Sequence, residues 1–165
     1  MSIDPEVEER FQDVARRLDY PMFVVTTAHG NERAGCLVGF AAQCSISPPR
    51  MTVFLSNKNR TYRVAREASV FAVHVLPEGH KDLAELFGSR TGDDVDKFAA
   101  CEWTPGPEGV PLLDACGDVV VGTVLERADV GDHAAFVLDV TQVRADGSSF
   151  LSFQDVKDLE PGHDA

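Results

Sequence analysis

Three short stretches of this chain carry residue types that can handle a ligand or a charge. The first, LSNKNRTYRVAREA at 55–68, sets Ser56, Asn57, Lys58, Asn59, Arg60 and Thr61 directly ahead of a run with helical spacing. Free N–H groups at a helix start, hydroxyls and two cations make a cradle for a phosphate. A plainer reading has Asn59 or Thr61 capping the helix while Lys58 and Arg60 sit in water. The second stretch, GFAAQCSISPPR at 39–50, is small-sided and polar between two apolar runs. Its alanines would let a flat ligand approach the backbone, whose N–H groups could meet the ligand's heteroatoms; otherwise it is an ordinary inter-strand loop. The third, Gly131-Asp132-His133, puts an imidazole at the end of a turn, where Asp132 either orients the ring or shapes the turn.

Other chemistries find little support. The four cysteines, Cys36, Cys44, Cys101 and Cys116, include no C-x-x-C pair, so no metal site is expected and small, core-like thiols are the default, Cys44 standing apart among polar neighbours. There is no G-x-S-x-G elbow, no H-E-x-x-H, no close acidic pair with a reason to act as general acid and base, and no G-x-G-x-x-G fingerprint. A formal net charge of −12 repels nucleic-acid backbones and anionic lipid, which argues against both as partners. No run approaches the roughly 20 apolar residues of a membrane helix, and the opening MSIDPEVEER is acidic, so a cytoplasmic protein is expected.

These stretches need a scaffold, and 165 residues with 44% apolar content suit one domain over 1–165. Asp4, Pro5 and the spacing of Val7, Phe11, Val14, Ala15 and Leu18 predict an opening helix with one apolar face. MFVVTTA and AGCLVGF, joined by HGNER, read as a hairpin. RMTVFLS, VFAVHVL, DVVVGTVLERADV, HAAFVLDVTQVRA and SFLSF read as further strands, TYRVAREA and HKDLAELF as short helices, and EWTPGPEGVP as a loop. The closing EPGHDA is expected to fray. Tight turns between neighbouring strands favour a mainly β fold with short helices, a mostly antiparallel barrel of six or seven strands.

Taken together, GCLVGFAAQCSISPPRMTVFLSNKNRTY, VFAVHVL, LAELFG with VDKF, and GDH at 131–133 resemble the flavin reductase-like family of FMN-binding split barrels. The resemblance implies that the flavin ring lies against Phe40, Ala41, Ala42, Gln43, Cys44 and Ser45, and that the phosphate meets Ser56, Asn59, Arg60 and Thr61. It implies that His133 stands where a nicotinamide approaches, and it offers Phe87 as a border of the ring or of a bound adenine, packing being the alternative. His74 falls where the family often has an asparagine, with core support the favoured role. The flavin loop lacks the family's usual asparagine or serine, and the ending FLSFQDVKDLEPGHDA replaces an aromatic, arginine-containing segment.

The function so implied is reduction of FMN, with FAD as the alternative, by NADH or NADPH, hydride passing from nicotinamide C4 to flavin N5. Backbone N–H groups near Gln43–Ser45 would stabilise the charge of the reduced ring. The resemblance also implies a homodimer and a monooxygenase partner for the reduced flavin. Two alternatives stay open: a non-catalytic flavin-binding protein or electron carrier, and a barrel that holds another planar cofactor such as haem or deazaflavin.

Overall fold

The computed structural model describes residues 3–162; His163 and the end of the tail expected to fray lie outside them. The chain opens with α1 (Pro5–Ala15), capped as expected by Asp4, whose side chain accepts from the Glu6 N–H. A seven-stranded sheet follows, built from β1 (Phe23–His29), β2 (Glu32–Val38), β3 (Ala41–Ser45), β4 (Arg50–Ser56), β5 (Val70–Val75), β8 (Val119–Asp129) and β9 (His133–Arg144). Its order is β2-β1-β5-β8-β9-β4-β3, with every pair antiparallel. Between β5 and β8 come α3 (Lys81–Gly88) and a small hairpin of β6 (Trp103–Pro105) and β7 (Pro111–Leu113). The helix α2 (Arg60–Ala65) links β4 to β5, and α4 (Phe153–Val156) follows the last strand.

Successive residues of a strand face opposite sides, so a sheet covered on both faces reads as a continuous apolar run. The central β1 and β5 do this. Val24 and Ala72 join one core with Leu83, Phe87, Phe98 and Leu113 under α3 and the small hairpin. Val25 and Val73 join the other with Cys36, Val53, Leu55, Phe71, Phe136 and Leu138 inside the curled sheet. Bulges at Val121/Gly122 and Val124/Glu126 supply the curvature between β8 and β9. The two ends of the sheet approach one another, β2 lying against β4, without any β2–β3 ladder. The barrel is therefore open along one seam, a split barrel.

Four expectations need correction. The stretch at 39–50 is not only a loop: Ala41–Ser45 forms a terminal strand, and the turn lies at 46–49. The loop at 102–111 contains most of the β6–β7 hairpin. SFLSF is no strand; Phe150 and Ser152 make isolated bridges to Pro77 and Pro21, and a capping box of Ser152 and Asp155 then starts α4. The opening helix ends at Ala15, short of Leu18, and Val7, Phe11, Val14 and Leu18 are all exposed.

His74 has the supporting role. Its Nε2 accepts the Leu113 N–H at 3.0 Å, which leaves Nδ1–H to donate to the Val24 carbonyl at 2.9 Å. The ring thus bolts the small hairpin to the sheet, helped by the Thr26 hydroxyl on the Pro111 carbonyl at 2.6 Å.

Candidate functional site

The register of β4 against β9 sets Ser56 opposite His133, so the cradle stretch and the Gly-Asp-His turn meet at one end of the sheet. Asn57 locks them together: its N–H donates to the Asp132 carbonyl at 2.9 Å and its side-chain amide to the Gly131 carbonyl at 3.1 Å. Gly131 has φ of 134°, a conformation that side-chain-bearing residues avoid. That turn aims the His133 Nδ1 at the Asp132 carboxylate, 2.6 Å away. The hydrogen bond from His133 holds the Asp132 carboxyl below its ordinary range, so an ionised Asp132 fixes the proton on Nδ1 and leaves Nε2 as the outward-working nitrogen. Phe40, 55% exposed, lies with its ring centroid 5.2 Å from that of His133. Phe40, Ser56, Asn57, Asp132 and His133 are thereby brought together from three separate segments of the chain.

Phe40 leads directly into β3, the end strand of the sheet. Ala41, Ala42 and Gln43 pair with Val53, Thr52 and Met51, and a bulge between Gln43 and Ser45 leaves Cys44 without a partner in the ladder. The other edge of β3 has no neighbouring strand. Along that edge the Ala41 N–H donates to the Gly39 carbonyl at 3.2 Å and the Ser45 carbonyl accepts from the Gln43 side-chain amide at 3.2 Å, while the other outward N–H and C=O groups alternate, as do the acceptors and donor on the pyrimidine rim of an isoalloxazine. Ala41 lies opposite Val53, three residues or about 10 Å along the strand from Ser56. A flavin mononucleotide laid along this edge would reach the cradle, so the donor set and its spacing fit the group. Gly39 has a different use, since a Cβ there would come within 2.7 Å of the Tyr20 ring.

The cradle itself divides in two. Asn59 caps α2, accepting the Thr61 N–H at 2.9 Å, while the Ser56 hydroxyl accepts from Lys58 N at 3.4 Å. Thr61 is 1% exposed and its side chain faces inward beside the buried Cys36. Arg60 turns the other way, donating to the Arg33 carbonyl at 2.9 Å, with its Nε 3.9 Å from Asp93. It enters a cleft of about 290 Å³ between the start of β2, the start of α2 and residues 92–98. Lys97 forms part of the wall. Only 5% exposed, it donates to the Gly35 and Phe87 carbonyls at 3.1 and 3.0 Å, and burial lowers its pKa. Arg33 lies over the Trp103 ring, 4.8 Å from the centroid.

Phe87 belongs to the core beneath α3. It is 1% exposed, packs edge-on to Phe98 and sits against Gly35, so the packing alternative holds. Asn57, one of the cradle residues named from the sequence, has a use the sequence did not show, the lock onto the Gly131-Asp132 turn, and Lys97 is buried against two carbonyls beside α3. Thiol chemistry is disfavoured at Cys36 and Cys116, whose burial pushes their pKa to about 11 and about 12.

Comparison with known proteins agrees with this arrangement. Residues 15–157 match the family described as Flavin reductase like domain. The chain is 32% identical over 91% of its length to the FMN reductase (NADH) RutF 2 of Rhizobium rhizogenes, covering 87% of that protein. It is 30% identical over 79% of its length to the flavin-dependent monooxygenase reductase subunit HsaB of Mycobacterium tuberculosis, covering 67% of it. In three dimensions it superposes with a TM-score of 0.81 on the NADH:FAD oxidoreductase SgcE6 of Streptomyces globisporus, at 23% identity, over 92% of this chain and 91% of that one. A match across most of the chain, on the residues that build both ends of the site, means that this protein belongs to the flavin reductase-like family.

Proposed function

We propose that this chain, as a single domain over 1–165, is an NAD(P)H-dependent reductase of FMN or FAD. The observation that carries the reading is the placement of the Asp132–His133 pair and Phe40 at one end of an edge strand, beside the β4 end that runs into the cradle at Ser56–Arg60. A bound flavin supplies the hydride-accepting chemistry, as flavins do in any such site. The chain binds and orients. The free edge of Ala41–Ser45 holds the rim of the ring through backbone N–H groups, which also favour negative charge there. Phe40 gives one wall, and Arg60 meets the phosphate, with Ser56 and the cap at Asn59 shaping the approach.

His133 acts at the open side. With Nδ1–H held by Asp132, its Nε2 can accept from the carboxamide of an incoming nicotinamide, which sets the dihydropyridine at a fixed angle to the ring. Three further points belong to the same reading. The exposed apolar residues of α1, Val7, Phe11 and Val14, with Leu18 just beyond it, are suited to burial against a second copy, so a homodimer is expected. A cytoplasmic location accords with the negative charge, and no helix among the described residues is long and apolar enough to cross a membrane. The relative named as a monooxygenase reductase subunit suggests an oxygenase as the consumer of reduced flavin.

The test is steady-state oxidation of NADH and of NADPH by purified protein, with and without added FMN or FAD, for the wild type and His133→Ala. Flavin-dependent oxidation by the wild type, and loss of most of it in the variant with flavin binding kept, is the expected result. A protein that binds flavin but oxidises neither nicotinamide would return the electron-carrier reading.

A further inference from the structure

We infer that the carboxylates lining the Arg60 cleft make this site select a flavin ending in one phosphate over a flavin dinucleotide. The inference rests on the reading above that puts the phosphate at Arg60. Relatives named for FMN and for FAD both occur, so membership of the family leaves this choice to the chain's own residues.

Beyond Arg60, the second phosphate and adenosine of FAD would have to enter or skirt the cleft of about 290 Å³. Its cations are already engaged. Arg33 lies on Trp103, Lys97 donates to two carbonyls, and Arg60 is shared between the Arg33 carbonyl and Asp93. Asp93 is also the partner of Arg63, at 2.5 Å. Three further carboxylates of the same lining, Glu32, Asp94 and Asp96, have no ion-pair partner among the described residues. A single phosphate can take Arg60 by displacing Asp93, whose charge Arg63 still balances. A second phosphate meets Glu32, Asp94 and Asp96, which outnumber the two cations that remain in the lining, Arg33 stacked on Trp103 and the buried Lys97. Like charges in a partly wet cleft, several ångströms apart, weaken binding by about tenfold.

The experiment measures dissociation constants of riboflavin, FMN and FAD by fluorescence titration on the full chain, for the wild type, Asp94→Asn, Asp93→Asn/Asp94→Asn and Arg60→Ala. Wild type is expected to bind FMN about tenfold more tightly than FAD. The double variant should narrow that ratio at least threefold by gaining FAD affinity, with riboflavin unchanged and the effect reduced in high salt. Asp94→Asn alone should move in the same direction, and it leaves the Arg63 pair intact should the double variant fold poorly. An unchanged ratio in both variants, or a wild type that prefers FAD, overturns the selectivity. Arg60→Ala tests the underlying reading separately: it should weaken FMN but not riboflavin, and equal effects on the two would show that the phosphate lies elsewhere.

Discussion

Lowering the pH should loosen the small hairpin that backs the phosphate cleft, and the size of the effect follows from His74. The ring is fully buried, and burial above all lowers its pKa from 6.5 to about 4. In the unfolded chain the same imidazole binds a proton near 6.5, so between those values the unfolded state takes up a proton that the folded state refuses. Stability therefore falls as pH drops through 6.5 towards 4 and levels off below. At about pH 5.5 the linkage relation gives a loss of roughly 1.4 kcal/mol relative to neutral pH, approaching roughly 3 kcal/mol at the acid limit. The perturbation that isolates it is His74→Asn. This variant should be less stable at neutral pH by about 1–3 kcal/mol, because a shorter amide cannot serve both the Leu113 N–H and the Val24 carbonyl. Urea unfolding followed by Trp103 fluorescence at about pH 7.5 and about pH 5.5 reads both numbers. The gap between wild type and variant should shrink by about 1.4 kcal/mol at the lower pH. A gap that stays constant would refute the claim that a neutral His74 holds β7 to the sheet.

Replacing Asp132 by Asn keeps the shape of the turn but removes the charge that fixes the proton on the His133 Nδ1; kcat should fall by about tenfold or more with flavin affinity nearly unchanged, as steady-state kinetics and titration would show. Gly131→Ala meets open space but puts a Cβ at φ of 134°, so the variant should lose about 1–3 kcal/mol in denaturant unfolding and lose activity through misplacement of His133. If α1 pairs two copies, Phe11→Glu should shift the mass measured by light scattering from dimer to monomer.

Much of the sheet could be read from the chain because β1 and β5 are apolar runs buried on both faces, while β8 and β9 begin as apolar stretches and are bounded by turn residues. The hairpin at Gly30 was legible for the same reason. β3 was not. An end strand with one wet edge carries no apolar alternation, and AAQCS looks like a loop until its register with β4 is seen. SFLSF misled in the opposite sense, since Phe150 and Leu151 are apolar but the neighbouring backbone finds only isolated bridges. At the site, the turn holding His133 was visible as Gly-Asp-His. The division of the cradle was hidden, because whether Arg60 faces a ring or a cleft depends on Arg33 and Asp93, each about 30 residues away in sequence. Phe87 shows the limit of motif transfer: the same residue type at helical spacing serves a core as readily as a ligand.

The central claim, that one edge strand and one helix start grip the two ends of a single flavin, is tested most directly by a crystal structure of the protein soaked with FMN. The account predicts a ring whose pyrimidine rim follows Ala41–Ser45 and a phosphate within hydrogen-bond reach of Arg60. Density for the flavin elsewhere, or a groove beside β3 closed by the protein's own side chains, would contradict it.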